Sequence, residues 1–317
     1  MKLRELATKP SPDQFERIAQ AIDPDARITS TRQLTGGISC RMDVVTLESS
    51  SQPTREVVIR QYGPWHKDDD PHPGEIESMA LGHLSANDIN APRLVLSEEA
   101  TEIMGAPTIV TSLIDGKSIV QPADVHDWAE QLVGAIVPVH AAPVTDELRM
   151  KIPALYPAID RLFSRSEPTA EIAGHLLGLQ LWQAAKEMWP NVDKSGDCLI
   201  HADYWPGNTV WKDDQLAAIV DWEEPRIGEP TWDIAIVVQD AAVFGMDIEQ
   251  TVLNHHAKIS DRPLRDYEFW RMYIAMTEMP DPGVWVDGFQ ALGGGNITAD
   301  EVRANHTATV DRMLGVG

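Results

Sequence analysis

A short β-rich segment inside an otherwise helical stretch constrains the fold of this chain more than any other sequence feature. Two apolar runs of β type, at residues 209–211 and 216–220, flank the polar turn 212–215. Strands joined by so few residues pair antiparallel as a hairpin. The hairpin brings the residue after its second strand, Asp221, back beside the residue before its first strand, Asn208. We therefore expect these two polar side chains to lie close together.

The spacing of the apolar residues divides the 317-residue chain into two parts. Before about residue 112, runs with the twofold period of strands predominate, separated by amphipathic helices. Past Gly116 the apolar spacing is mainly helical. These patterns predict an α+β chain with a β-rich N-terminal lobe over residues 1–112 and a larger, mainly helical C-terminal lobe over residues 113–317. The first helix is expected to begin at Ser11, which opens a capping-box pattern.

The charge of the chain limits the partners it can have. Lysine and arginine number 26 against 49 aspartate and glutamate residues, giving a formal net charge of −23. Such a field repels nucleic acid and anionic membranes and favours cationic ligands, although excess acid also serves solubility alone. The N-terminal residues lack the apolar run of a signal peptide, and no segment approaches the roughly 20 apolar residues of a membrane span. We expect a cytoplasmic protein with free thiols at Cys40 and Cys198, without a nucleic-acid or membrane partner, and of undetermined oligomeric state.

Four polar residues around the predicted hairpin have the spacing of a kinase catalytic loop. His201, Asp203 and Asn208 follow the pattern His-x-Asp-x-x-x-x-Asn, and Asp221 ends an apolar strand, where a kinase places its metal-binding aspartate. A carboxylate beside an acceptor hydroxyl can orient it and take its proton, which is the role expected of Asp203. Carboxylate and amide oxygens suit Mg²⁺, so Asn208 and Asp221 are the expected metal ligands.

These motifs, together with Trp222-Glu223 and the segment Gly228-Glu229-Pro230-Thr231-Trp232-Asp233, resemble the aminoglycoside phosphotransferase family. That family also includes macrolide, choline-type and other small-molecule kinases. The resemblance implies a protein-kinase-like fold and transfer of the γ-phosphoryl group of ATP or GTP, with Mg²⁺, to a hydroxyl of a small molecule. The acceptor could be an antibiotic such as an aminoglycoside or a macrolide, which would confer antibiotic resistance, or an amino alcohol or another metabolite. It also implies that Asp233 accepts hydrogen bonds that hold the catalytic loop.

The segment Leu34–Ser39 resembles the glycine-containing nucleotide loop of the same family. Glycine lets the backbone approach phosphate oxygens, so Gly36, Gly37 and the Ser39 hydroxyl are expected to contact the nucleotide. A Gly-Gly pair between strands is by itself also typical of a hairpin turn. Its place before a predicted strand pair favours the nucleotide loop.

Three further segments resemble nucleotide-binding positions of the family. Arg60 stands where a lysine usually grips the phosphates, and Glu77 where its glutamate partner lies. Arginine keeps the charge but has a planar fork in place of an ammonium, and purely structural pairing with Glu77 is the alternative role. Residues 109–112 resemble the connector whose backbone contacts the base, which assigns Ile109 and Thr111 to the nucleotide site.

Two departures and two rival functions accompany this hypothesis. Ala202 replaces the usual glycine of the catalytic loop, which is harmless if its φ is negative. The arginine at position 60 would also fit a non-catalytic, nucleotide-binding relative that acts through partners. A metal-dependent hydrolase would use His201 as a ligand but would need further histidines at ligand spacing.

Acidic residues of the C-terminal half could line a site for an ammonium-bearing acceptor. The candidates are Glu223, Glu224, Glu229 and Asp240. A solvated acidic surface explains them equally well.

Overall fold

The computed structural model describes residues 6–34, 40–66, 71–175, 177–277 and 280–315. The chain forms two compact units. The N-terminal unit joins Met1–Asp115 to the short segment Val220–Glu224, and the C-terminal unit comprises Gly116–Ile219 and Pro225–Gly317.

The N-terminal unit is built on a five-stranded antiparallel sheet with three helices. The strands follow the spatial order β1-β2-β3-β5-β4. Their bounds are Arg27–Gln33 (β1), Cys40–Glu48 (β2), Arg55–Tyr62 (β3), Leu94–Leu96 (β4) and Thr108–Ser112 (β5). The helices are Pro12–Ile22 (α1), Pro73–Ala86 (α2) and Glu98–Met104 (α3). Helix α1 begins as expected, because the Ser11 side chain accepts from the Gln14 N–H and the Gln14 side chain accepts from the Ser11 N–H.

Strand β3 presents different residues to the two faces of this sheet because side chains alternate along a strand. Val57 and Ile59 pack into an apolar core with residues of α1 and α3, including Phe15 and Ile103. Arg60, the residue after Ile59, therefore points to the opposite face. The register places the Cα of Arg60 between Met42 of β2 and Ile109 of β5. The sheet thus buries a charged side chain at its centre.

The C-terminal unit contains ten helices within the described residues, together with two small antiparallel strand pairs. The helices are Val125–Ala141 (α4), Asp146–Lys151 (α5), Tyr156–Phe163 (α6), Ala170–Gly174 (α7), Gly178–Met188 (α8), Thr231–Val243 (α9), Glu249–Ile259 (α10), Tyr267–Thr277 (α11), Val286–Ala291 (α12) and Ala299–Leu314 (α13). Strand β6 (Cys198–Ile200) pairs with β9 (Arg226–Gly228), and β7 (Thr209–Lys212) pairs with β8 (Gln215–Ile219). The predicted β-rich first part and mainly helical second part are confirmed.

Helices α9 and α11 form the centre of the C-terminal unit. Nearly every residue of α9 and every residue from Phe269 to Met276 of α11 is buried. A helix that is apolar on all sides is one that packs against neighbours on all sides. The core between them is rich in aromatic rings, among them Trp189, Trp232, Phe269, Trp270 and Tyr273. The first turn of α9 is thereby held in a fixed position.

The β7–β8 hairpin has a tighter turn than the sequence pattern predicted. Lys212 pairs with Gln215, so the turn has two residues, Asp213 and Asp214, where four were expected. Both aspartates have positive φ, 51° and 59°. This is the type I′ geometry that matches strand twist, and aspartate tolerates it because its short side chain can bond locally.

Two further expectations concern cysteine and membrane association. Cys40 and Cys198 do not form a disulfide, as predicted, and both side chains are buried. Among the described residues, none of the helices has the length and apolar character needed to cross a bilayer.

Candidate functional site

The Asp203 loop (residues 201–208) connects β6 to β7 in the C-terminal unit. Pairing of Ile200 with Arg226 fixes the start of the loop, and Thr209, paired with Ile219, fixes its end. His201 is fully buried, and its Nδ1 lies 3.3 Å from the backbone N–H of Asp203, which donates to it. His201 therefore helps to hold the loop backbone in place.

Asp203 and Asn208 contact each other directly within this loop. The amide nitrogen of Asn208 donates to the backbone carbonyl of Asp203 and to its Oδ2, each at 2.9 Å. Because the nitrogen is used in this way, the amide oxygen of Asn208 is the end available to a cation. The Asp203 residue is exposed, whereas Asn208 is buried. The loop thus holds one carboxylate at the surface and one oriented amide oxygen behind it.

A buried carboxylate at the start of α9 fixes the loop backbone. Asp233 Oδ2 accepts from the His201 N–H at 2.9 Å, and Oδ1 accepts from the Ala202 N–H at 2.9 Å. His140 of α4 places Nε2 2.8 Å from the same Oδ2 and donates to it. The expectation that Asp233 holds the catalytic loop is confirmed. His140 was not predicted, because nothing in its local sequence signals a contact across 93 residues.

Ala202 adopts a backbone conformation that the sequence did not predict. Its φ is 68°, in the left-handed region, so the condition under which alanine would be harmless here is not met. An alanine there costs roughly 1–2 kcal/mol relative to the right-handed conformation, a cost that glycine avoids. The loop geometry that suits glycine in related sequences is therefore retained despite the side chain. Hydrogen bonds to both backbone groups of Ala202 accompany this conformation.

Asp221 belongs to the N-terminal unit, where it forms part of a charged cluster. We call Arg60, Glu77, Asp221 and Glu223 the Arg60 cluster. The Nη2 atom of Arg60 donates to Asp221 Oδ1 and, at 2.8 Å, to Glu223 Oε2. Its Nε lies 3.1 Å from Glu77 Oε2, an ion pair without an aligned hydrogen bond. A single guanidinium is thus shared by three carboxylates.

Burial and charge act together on the pKa values in this cluster. Burial would lower the pKa of Arg60, but the carboxylates of Asp221 and Glu77 raise it well above the ordinary value. Burial raises the pKa of Glu77 to about 7, a rise that the Arg60 charge limits and the Asp221 charge adds to. The Tyr62 hydroxyl donates to Glu77 Oε2, and burial followed by the Glu77 charge raises the Tyr62 pKa. The Arg60 guanidinium therefore keeps its positive charge, while the Glu77 carboxyl titrates near neutral pH.

The remaining predicted site residues have different placements. Ile109 and Thr111 are buried in β5, where their Cα partners are Arg60 and Val58 of β3. Their contact with a nucleotide base stays a prediction. Gly36, Gly37 and Ser39 lie outside the described residues, and their role stays a prediction as well.

Two of the four acidic acceptor candidates are not at the surface. Glu229 is 1% exposed and Asp240 is 2% exposed. Burial raises the pKa of both carboxyls, that of Asp240 to about 8. Glu223 contacts Arg60, which leaves Glu224 as the exposed member of the set. The proposal of a solvated acidic surface was therefore wrong for Glu229 and Asp240, whose helical and strand neighbours bury them.

The donor chemistry of the predicted metal ligands fits magnesium. Asp221 supplies a carboxylate and Asn208 an oriented amide oxygen, and Mg²⁺ prefers oxygen ligands completed by phosphate and water. A zinc-type group of three or more His, Cys, Asp or Glu side chains, which the hydrolase hypothesis would need, is not found within the described ranges.

The family model APH, the phosphotransferase enzyme family, matches residues 45–291. The homoserine kinase of Methylobacterium sp. (strain 4-46) is 27% identical over 173 residues, which cover 53% of this chain and 52% of the relative. The chain spans about half the length of the curated relatives it matches.

Solved structures resemble the chain over nearly its full length. Choline kinase LicA from Streptococcus pneumoniae has a TM-score of 0.59 at 15% identity, covering 96% of this chain and 99% of that chain. Spectinomycin phosphotransferase APH(9)-Ia, solved with ADP and spectinomycin, also has a TM-score of 0.59, at 12% identity, covering 97% and 98%. At these identities the likeness shows the fold, and the predicted protein-kinase-like α+β class is confirmed. Because the family model spans most of its residues, the chain belongs to the phosphotransferase enzyme family.

Proposed function

We propose that this protein transfers the γ-phosphoryl group of ATP or GTP, as a magnesium complex, to a hydroxyl of a small molecule. The observation that carries the proposal is the Asp203 carboxylate, exposed at the surface yet held by the Asn208 amide. Phosphoryl transfer needs positioning and charge neutralisation more than covalent chemistry from the protein. A fixed, accessible carboxylate beside an oriented amide oxygen supplies the first of these needs.

Asp203 would act on the acceptor. Its carboxylate orients the hydroxyl through a hydrogen bond and receives the proton as the oxygen attacks the γ-phosphorus, while the bond to the bridging oxygen breaks and the nucleoside diphosphate leaves. His201 and Asp233 keep the loop backbone in place, so that little reorganisation accompanies the reaction.

Asn208 and Asp221 would hold Mg²⁺ when the nucleotide is bound. The metal supplies neutralisation of the phosphate charge. Arg60 would contribute a further positive charge at the phosphates, and Glu77 would keep the guanidinium oriented. Support for this role comes from the buried position of Arg60 and from its ion pair with Glu77.

Nucleotide contacts of Gly36, Gly37, Ser39, Ile109 and Thr111 complete the proposed donor site. An adenine nucleotide is supported by the ADP bound to spectinomycin phosphotransferase, a structure of similar fold. The experiment below also includes GTP, because contacts from arginine, glycine and the backbone to phosphate groups do not distinguish guanine from adenine.

We propose an alcohol that bears an ammonium group as the acceptor. The net charge of −23 favours approach of cations. Homoserine and choline, the acceptors named by a relative and by a structure of similar fold, are both amino alcohols. Spectinomycin, an antibiotic acceptor, is also basic.

The test measures nucleotide consumption and acceptor phosphorylation with Mg²⁺ and either ATP or GTP. Homoserine, choline, spectinomycin and a macrolide serve as acceptors, with product detected by mass spectrometry. The Asp203→Asn variant should lose about 10²–10⁴-fold in turnover while still binding nucleotide, because it lacks a proton acceptor. Asp213→Asn, in the exposed hairpin turn, is the matched control and should retain full turnover.

Two results would contradict the proposal. Unchanged turnover in Asp203→Asn would show that this carboxylate is not the base. Absence of calorimetric nucleotide binding would remove the donor site altogether. Binding of nucleotide without turnover on any acceptor would support the alternative, a non-catalytic nucleotide-binding protein.

A further inference from the structure

We propose that the indole of Trp232 is a positioning group for Asp203, acting through the carbonyl of Ala202. The expected effect on kcat rests on the proposed function. The expected effect on the loop backbone rests on the geometry alone. Trp232 has no expected contact with acceptor, nucleotide or metal. It is a positioning residue because it holds the peptide group that precedes Asp203.

The hydrogen bonds around Ala202 define this role. Its N–H donates to Asp233 Oδ1, and its carbonyl accepts from Trp232 Nε1, each at 2.9 Å. Two adjacent residues of α9 therefore bind both backbone groups of one alanine. The carbonyl of Ala202 and the N–H of Asp203 belong to the same peptide plane, and that N–H donates to His201 Nδ1. Both ends of the plane that orients Asp203 are thus fixed.

The conformation of Ala202 explains why this support is needed. A φ of 68° is unfavourable for a residue with a Cβ, so an unsupported loop would relax toward negative φ. Such a rotation would turn the following peptide and displace the Asp203 carboxylate. Glycine would carry no such tendency. The two bonds from α9 therefore hold a conformation that alanine by itself disfavours.

The indole is rigidly placed to do this. Trp232 is 5% exposed, with its rings 5.7 Å from those of Trp270 and 5.4 Å from that of Tyr273. Packing on these aromatic neighbours fixes the direction of its N–H. By contrast, the Trp270 Nε1 is buried and has no hydrogen-bond partner among the described residues. A substitution of Trp270 therefore alters packing in the same aromatic cluster without removing a hydrogen bond, which makes Trp270 a suitable control.

The experiment compares Trp232→Phe with Trp270→Phe, each in the parent and in an Ala202→Gly background. Both substitutions keep an aromatic ring, but only the first removes a hydrogen bond. We expect Trp232→Phe to lower kcat about tenfold, with KM for the nucleotide within about twofold, because loss of one such bond in a strained loop misplaces Asp203. Trp270→Phe should change kcat by less than about twofold on the same reasoning. Ala202→Gly should restore most of the kcat lost in Trp232→Phe.

A second readout does not depend on activity. Hydrogen exchange of the Ala202 and Asp203 amides should accelerate about tenfold in Trp232→Phe and stay within about twofold in Trp270→Phe. If no acceptor is phosphorylated, the hydrogen-exchange measurement still tests the positioning role of Trp232. Failure of the positioning role can therefore be told apart from failure of the proposed function. Equal exchange rates in the two variants would overturn the positioning role. A loss of kcat that Ala202→Gly does not restore would also overturn it, because the effect would then arise from packing. If Trp232→Phe does not fold, hydrogen exchange of the Asp203 amide is compared between the parent protein and Ala202→Gly. Faster exchange in the parent overturns the inference. Equal exchange rates in the two proteins support it.

Discussion

The Asp203 loop and the Arg60 cluster are both polar sites predicted from sequence, but they are held by different forces. The loop is held by directional bonds to its backbone, two of which end on the single buried carboxylate of Asp233, and this carboxylate is itself bound by the His140 side chain. The cluster is held by charge, since Arg60 is shared among three carboxylates. A site fixed by backbone hydrogen bonds is preorganised, whereas the proposed roles of Arg60 and Asp221 would require the cluster to exchange ion-pair partners when metal and phosphates bind. The two sites should therefore respond differently to substitution.

The largest expected effect is on folding, from Asp233→Ala. Three buried donors would lose their acceptor, and each unsatisfied group costs about 1–3 kcal/mol, so the free energy of unfolding should fall by at least about 3 kcal/mol. Urea denaturation measures this change. Asp240→Asn, another buried carboxyl of α9, is the control and should not lower the free energy of unfolding. Little change in Asp233→Ala would mean that the loop is not held by this carboxylate.

The next effect concerns the metal. Asp221→Asn removes the charge of a proposed ligand and keeps the shape of the side chain. Asparagine also tolerates the backbone φ of 67° at this position. The gain in ATP affinity from Mg²⁺ should fall by about 100-fold, the upper end of what losing a supporting group of a metal site costs. Isothermal titration with ATP, with and without Mg²⁺, measures it, and Asp214→Asn serves as control. A magnesium effect equal to that of the parent would exclude Asp221 as a ligand.

Arg60 tests whether the cluster depends on charge or on geometry. Arg60→Met should weaken ATP binding about 10–100-fold, since charge-assisted bonds contribute about 1.5–3 kcal/mol. Arg60→Lys, which keeps the charge, should lose less than about tenfold. Arg27→Met, at an exposed ion pair with Glu48, is the control. Equal losses in the lysine and methionine variants would indicate that the planar fork is essential, and no loss in either would assign Arg60 a structural role.

The last prediction concerns the pH dependence of stability. The Asp240 pKa is raised by burial to about 8 in the folded protein, above an unfolded value of about 3.9. The folded state then retains a proton that the unfolded state releases. Stability from this group is complete below about pH 4 and is lost as the pH rises through about 8, so the free energy of unfolding should decline over that range. Comparing parent and Asp240→Asn from pH 4 to 8 measures it, and parallel curves would contradict the pKa shift.

Local patterns were sufficient to predict much of the fold and the position of the loop. The Ser11 capping box, the pairing of the strands around Asp213 and the spacing of Asp203 and Asn208 are encoded within a few residues. These features form through neighbours in sequence, which is why a pattern predicts them.

The features that the sequence did not reveal depend on distant contacts. His140 reaches Asp233 from 93 residues away, and Glu223 reaches Arg60 across 163. The positive φ of Ala202 follows from bonds to α9, which no local rule for alanine includes. The burial of Asp240 depends on helix packing, so a carboxyl that composition would place in solvent lies in the core.

The two strand pairs that flank the Asp203 loop also imply an order of assembly. The β7–β8 hairpin closes over two residues, while β6 and β9 join residues 28 positions apart, from Ile227 back to Leu199. Hairpins of this kind form in about 1–10 μs, and closure of a longer connection is slowed by its greater entropy. During folding, the Asn208 end of the loop is therefore anchored first. The Asp203 end acquires its geometry only when β9 and the start of α9 dock, so the Asp203 carboxylate is among the last groups of this unit to be placed.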